Sequence, residues 1–241
     1  MQKLHLIYFT TGLFTPDLTW GNAFIFEGGA LSTQKLVVSS GTNGNATNGW
    51  DTSVVPTVRG EYWIENLDSF DFGVTLAPLI FTTSGKLTNN LSVSGVTLPK
   101  DTFASFNFQF HNLRFSGNYP VLRWNDNKSN LRAGVTGILN YARLTFTSQG
   151  AKATENDFLA VPILRVDLSQ DLGNERSLVI RGDFLPLSTS FDEGFFDFFL
   201  GMKFSRVEPG FRFFWGGFFD ESSTQTSNAT FFSSFVIRST F

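Results

Sequence analysis

The chain has 241 residues and a formal net charge of −3, with acids and bases scattered along its length, so it carries no electrostatic footprint for nucleic acid. It has no cysteine, which excludes a disulfide framework and a thiolate metal site. Thirty phenylalanines sit in a chain of mean hydropathy −0.01, and no apolar run approaches the roughly 18 residues of a membrane-crossing helix, a limit that does not bear on spanning strands.

The N-terminal region, residues 1 to 55, offers three candidate strands: LHLIYF, NAFIFEG and QKLVVSS. Its start, MQKLHLIYFTTG, lacks a convincing signal-peptide core, so the expectation is a mature start with any export signal already removed. From residue 55 onward the chain alternates with period two, and nine strands follow.

The first, 56 to 66, sets Val58, Gly60, Tyr62 and Ile64 against Arg59, Glu61 and Glu65. The second, 70 to 82, sets Phe70, Phe72, Val74, Leu76 and Ile80 against Asp71, Gly73 and Thr75. In TFASFNFQFHNLRF, Phe106, Phe108 and Phe110 oppose Asn107, Gln109 and His111. Near 130 to 146, Leu131, Ala133, Val135, Leu139 and Tyr141 oppose Arg132, Gly134, Thr136 and Asn140. The next two strands carry RVD and RGD: Arg165 and Asp167 face away from Phe158, Leu164 and Leu168, and Arg181 and Asp183 away from Leu178, Ile180 and Phe184. A register centred on Asn174 pairs Arg165 with Asp183 and Asp167 with Arg181, which makes RGD a strand segment rather than an adhesion loop.

The seventh strand lies in FDEGFFDFFLGMKF, where Phe196, Phe198, Leu200, Met202 and Phe204 oppose Asp197, Phe199, Gly201 and Lys203. In FRFFWGGFF, Phe211, Phe213, Trp215 and Phe219 oppose Arg212 and Gly216. The last strand sets Phe231, Phe235, Ile237 and Phe241 against Ser234, Arg238 and Thr240.

Each strand thus has a greasy side and a side with ionised groups near its middle. A soluble sandwich alternates too, but it turns the apolar side to a dry core. The connections separate the two cases. NLDS, DLGNE and VEPG are tight, whereas SGKLTNNLSVSGVTLPKD, SQGAKATEN and residues 220 to 229 are long and polar. Long loops at one end and tight turns at the other are the pattern of a transmembrane barrel. The stretch 117 to 129 reads as strand continuation into a turn near Asn125 to Lys128, in an unusually tall hairpin.

The final segment, ATFFSSFVIRSTF, resembles the C-terminal strand of bacterial outer-membrane β-barrel proteins, with Phe235, Ile237 and Phe241 on the aromatic and apolar positions and Ser239 departing from them. The resemblance is to the class and covers about residues 55 to 241. It implies an integral outer-membrane protein with both termini in the periplasm, in contact with membrane lipid and lipopolysaccharide, whose last strand is read by the barrel-assembly machinery.

The expectation is therefore an all-β protein: one closed, antiparallel, up-and-down transmembrane β-barrel over residues 1 to 241. Twelve strands are favoured if all three N-terminal candidates span, and ten if one does. The lumen would be lined by Arg59, Glu61, Glu65, Asp71, His111, Arg132, Arg165, Asp167, Arg181, Asp183, Asp197, Lys203, Arg212 and Arg238. Their signs nearly balance, which suits either a narrow passive channel for small polar solutes or a closed barrel with a salt-bridged lumen. A barrel whose outer loops bind a partner or surface polymer and a lipid-modifying enzyme are the alternatives. No glycine-rich phosphate loop, metal-ligand spacing or nucleophile elbow is present, and the two histidines, His5 and His111, build no catalytic site; no cofactor, metal or enzymatic activity is expected. Trp20, Trp50, Trp63, Trp124 and Trp215, with Tyr62 and Tyr119, are candidates for the interfacial aromatic girdles.

Overall fold

A computed structural model describes residues 21–36, 46–47, 50, 55–65, 69–185, 195–216 and 230–240. LHLIYF and Phe241 lie outside them, as do Trp20, Phe219 and the loop 220 to 229.

The described residues form twelve strands: β1 (Gly21–Leu36), β2 (Val55–Glu65), β3 (Asp71–Lys86), β4 (Leu91–Val93), β5 (Val96–Leu98), β6 (Phe103–Trp124), β7 (Ser129–Ser148), β8 (Ala151–Gly173), β9 (Arg176–Phe184), β10 (Phe195–Phe204), β11 (Val207–Gly216) and β12 (Thr230–Thr240). Strands β4 and β5 form a separate two-stranded hairpin. The other ten pair antiparallel in the cyclic order β1-β12-β11-β10-β9-β8-β7-β6-β3-β2, with β1 bonded to β12 on one side and to β2 on the other. NAFIFEG and the start of QKLVVSS are parts of one strand, β1, rather than two, so ten of the described strands share this ladder.

Several connections depart from their expected form. SQGAKATEN is no loop: β7 and β8 run into a turn at Gln149 and Gly150, both at positive φ. VEPG lies inside β11, and the turn before it is at Ser205 and Arg206. The turn at Asn174 and Glu175 and the tall hairpin through Asn125–Lys128 are as read from the sequence. The complementary register is also found, with Arg165 opposite Asp183 and Asp167 opposite Arg181.

The tall strands decide what each face meets. β6, β7 and β8 have 22, 20 and 23 residues, about twice the roughly 9–11 that cross a bilayer. In their lower halves, toward the turn at 125–128, the outer face carries Phe115, Tyr119, Val135, Leu139, Tyr141, Phe158 and Leu164, all exposed. Above Tyr141 the outer face turns polar: Gln109 and Asn107 on β6, Arg143, Thr145 and Thr147 on β7, Asn156 and Lys152 on β8. The inner face inverts at the same height. Asn112, Arg114, Ser116 and Asn118 line it below, and Phe106, Phe108 and Phe110 line it above. The same switch occurs from Asn140 to Ala142, Leu144 and Phe146 on β7, and from Thr75 to Phe81 on β3.

Alternation along a strand fixes which residues share a face, but not whether that face meets lipid or water. A sheet face that meets hydrocarbon is apolar, whereas in water burial of apolar area turns the apolar side in, so alternation alone leaves both outcomes open. Phe106, Phe108 and Phe110, expected on the greasy outer side, are interior, and Asn107, Gln109 and His111 are outer. This upper compartment is dry. Trp50, Ala46, Leu87, and Leu91, Val93 and Leu98 of the β4–β5 hairpin pack onto Phe81, Ala104, Phe106, Phe108, Phe110, Ala142, Leu144, Phe146 and Ala153. Gly85 makes room for this cap: a Cβ there would stand 2.5 Å from the Trp50 ring, whose indole N–H donates to the Lys86 carbonyl at 3.1 Å.

Candidate functional site: a charged belt across the interior

Below the dry compartment, arginines and carboxylates from most of the ring meet inside the sheet. Asp197 on β10 is the centre. It is bound by Arg59 of β2 at 3.0 Å, Arg114 of β6 at 2.6 Å and Arg212 of β11 at 2.5 Å. Strands β6 and β10 are not neighbours; β7, β8 and β9 stand between them in the ring. The Arg114 bridge therefore crosses the interior rather than running along the wall.

From this centre the belt extends in both directions. Arg212 reaches Glu27 of β1 through Nε and Nη2, both at 2.6 Å. Arg59 also binds Glu61 at 2.7 Å, and Glu61 accepts the Trp63 indole N–H at 2.9 Å. On the other side Arg114 donates to Asp183 at 2.6 Å, and Asp183 accepts from Arg165 at 3.3 Å and from Thr136 at 3.1 Å. Arg165 stacks over Trp63, its guanidinium 4.8 Å from the ring centroid, and Arg114 lies over Phe195 at 5.3 Å. The side chains of Arg114, Asp183, Asp197 and Glu61 are 1–3% exposed. Buried charges of this kind are tolerated only when paired and hydrogen-bonded, as these are.

A second polar group lies nearer the turn end. A cavity of about 260 Å³ is lined among others by Asp71, Asn118, Arg132, Asp167, Arg181 and Lys203. Arg132 pairs with Asp71, and Arg181 grips Glu208 of β11 through both terminal nitrogens at 2.6 and 3.2 Å. Asn118 donates to Asp167 at 2.6 Å, while the buried Oδ1 atoms of both residues lack a hydrogen-bond partner, so this cavity has acceptors in reserve. Glu65 belongs to the same wall.

Most of the lumen residues expected from the sequence thus face inward, and they divide between two sites: Arg59, Glu61, Arg165, Asp183, Asp197 and Arg212 in the belt, and Glu65, Asp71, Arg132, Asp167, Arg181 and Lys203 at the cavity. Arg238 sits opposite Glu27 and Glu208 in the register of β12. His111 does not belong to the set. It lies on the exposed outer face, its ring stacked on Tyr141 with centroids 6.3 Å apart, because β6 turns its phenylalanines inward at that height. Trp50 and Trp63 are likewise buried inside, whereas Tyr62, Tyr119 and Trp124 lie on the outer surface.

Three partners were not anticipated. Arg114 shares the parity of Phe106 to Phe110, so an outward reading of that stretch carried it outward too; an arginine continuing a phenylalanine row was the available sign that the face changes partners. Glu27 fell in NAFIFEG, a candidate strand whose two faces were not distinguished, and Glu208 in a segment read as a turn. Of the assembly-signal residues, Phe235 pairs with Ala30 and Phe211 across the β12 ladders, Ile237 is half-exposed on the outer face, and Phe241 lies outside the described residues.

No family model matches the chain, and no curated protein matches it in sequence. Among solved structures the chain is similar to Ail, the attachment invasion locus protein of Yersinia pestis, at 7% identity and a TM-score of 0.41, over 91% of this chain and 99% of that one. It is similar to the translocator domain of the autotransporter NalP from Neisseria meningitidis at 13% identity and a TM-score of 0.43, over 91% and 87%. The transport unit of the autotransporter AIDA-I from Escherichia coli gives 10% identity and a TM-score of 0.43, over 96% and 94%. These are bacterial outer-membrane β-barrel proteins, the class that the C-terminal segment of this chain resembles.

Proposed function

We propose that the protein is a single-domain outer-membrane barrel of ten strands, closed around an interior that carries no open pore. The observation that supports this reading best is Asp197 and its three arginines. Arginines from β2, β6 and β11 converge on one carboxylate of β10, and the dry phenylalanine compartment stands above it. An ion passing along the axis would have to break buried, mutually paired charges and then enter an apolar core, both of which are unfavourable.

The outer face supports the membrane part of the reading. Ala133, opposite Tyr119, and Tyr141 bound an apolar outer stretch of β7. That stretch is nine residues long, within the roughly 9–11 that carry a tilted strand across a bilayer. The tight turns at 125–128, 174–175 and 205–206 lie at the end where β1 begins and β12 finishes, which is the periplasmic end in this reading. Membrane lipid and lipopolysaccharide are then the surrounding partners, and the assembly machinery reads β12. The role is structural rather than catalytic: His111 is stacked on Tyr141 on the outer face.

A narrow passage for small polar solutes is the second reading, favoured by the cavity of about 260 Å³, which would serve as its periplasmic vestibule. Planar-bilayer recording separates the two. The closed reading expects no steady single-channel current from the intact chain; a stable, ohmic conductance would overturn it.

A further inference from the structure

The cavity near the turn end keeps hydrogen-bonding capacity that the fold does not use. Its wall carries four cations, Arg132, Arg165, Arg181 and Lys203, and three anions, Glu65, Asp71 and Asp167. Arg132 is held by Asp71, Arg165 by Asp167 and Asp183, and Arg181 by Glu208. Among the described residues this leaves Lys203 and Glu65 without an ion pair, one of each sign. The charge left over in the cavity therefore cancels.

The buried part of the wall is short of donors. Asn118 is 2% exposed, and its amide donates to Asp167 Oδ2, the same oxygen that Arg165 Nε reaches at 3.1 Å. Both bonds thus fall on one carboxylate oxygen. Asp167 Oδ1 and Asn118 Oδ1 remain as buried acceptors without a partner, and such atoms cost free energy until something donates to them. Asn130 and Ser169 stand opposite each other on β7 and β8 in the same wall, and among the described residues their side chains make no hydrogen bond.

Glu65, the last residue of β2, is exposed, and Lys203, close to the turn at 205–206, is half-buried, so the cavity opens at the turn end. Its other end abuts the belt, to which Arg165 and Trp63 also belong. The cavity is a recess rather than a passage at that height. At about 260 Å³ it is several times the roughly 30 Å³ share of one water, and just below the roughly 300–1,000 Å³ of pockets that hold drug-sized ligands.

We propose that this recess binds a small, uncharged, hydroxyl-rich solute of the monosaccharide class, which enters from the turn end. A hydroxyl both donates and accepts, so a sugar ring supplies donors to Asn118 Oδ1 and Asp167 Oδ1 and acceptors to Lys203 and the Asn130 amide. Charged ligands suit the wall less. An anion meets the free oxygens of Asn118 and Asp167, and a cation meets four basic side chains. That the mouth faces the periplasm rests on the membrane reading above; the binding itself does not.

The test is saturation-transfer NMR of D-glucose and D-galactose with the full chain folded in an amine-oxide detergent, which has no sugar head of its own. Expected is saturable transfer to the sugar protons, half-saturated on the order of millimolar, and none to glycine or acetate. Ser169→Trp, which fills the recess, should abolish the transfer. Lys203→Met, which removes a donor at the mouth but no ion pair, should weaken it about fivefold. Heat-shifted gel migration shows that each variant folds; if Ser169→Trp does not, Asn130→Trp fills the recess from the neighbouring strand. Transfer that is absent, non-saturable, equal for glycine, or unchanged in the filled recess overturns the sugar site and leaves the closed reading intact. A single-channel current from a chain that still binds sugar overturns the closed reading and leaves the site standing.

Discussion

Arg114 of β6 and Asp197 of β10 meet at 2.6 Å although three strands separate their own in the ring, and both side chains are 2% exposed. A contact of this span ties opposite walls of the sheet together. It also makes the interior narrow at that height, because two side chains suffice to bridge it.

Asp197→Asn should be the most damaging single change in the belt. It removes the charge that three buried arginines share, and stranding buried charge in this way costs about 3–5 kcal/mol. The expected outcome is a markedly lower temperature for the shift from folded to unfolded migration in detergent gels. Lys86→Ala is the contrast: its bridge to Asp101 has side chains 66% and 65% exposed, and pairs of that kind contribute at most about 1 kcal/mol.

The inversion of faces predicts a sharp positional difference along one strand. Leu139 and Thr147 are both exposed on the outer side of β7. In the membrane reading Leu139→Arg puts a charge against lipid, between the midplane, where the cost is about 2–4 kcal/mol, and the edge of the band, whereas Thr147→Arg, beyond the band, should cost little. Denaturant titration of refolded protein in lipid vesicles measures both. Equal tolerance at the two sites would remove the boundary at Tyr141.

The dry compartment predicts an opposite pair on β6. Phe106 is fully buried among Phe81, Phe108 and Phe146, so Phe106→Ala should lose about 3–5 kcal/mol, and the loss should appear as protease cleavage near the β4–β5 hairpin that it supports. His111→Ala on the outer face should change stability by no more than about 0.5 kcal/mol. A histidine in the lumen would behave otherwise.

Arg181 holds Glu208 with two parallel hydrogen bonds across one intervening strand. Arg181→Lys keeps the charge but loses the fork, and should cost about 1–2 kcal/mol. Glu208→Gln in the same background should cost less than it does alone, because the two changes remove one shared interaction; the coupling is read from a double-mutant cycle.

The amino-acid sequence by itself determined which residues share a face. Period-two alternation is local, fixed by the pleat, and it placed Arg59 with Glu61 and Asp197 with Lys203 before any fold was known; the complementary charges of RVD and RGD likewise specified the register of β8 and β9. The tertiary structure decided what each face meets. Whether Phe106, Phe108 and Phe110 point in or out depends on the height at which β6 leaves the apolar band, and that height is set by neighbouring strands far away in sequence. The same reason hid Arg114, Glu27 and Glu208: a bridge such as Arg114 to Asp197 exists only once ten strands are paired in order, since no spacing along the chain records which walls will stand opposite one another.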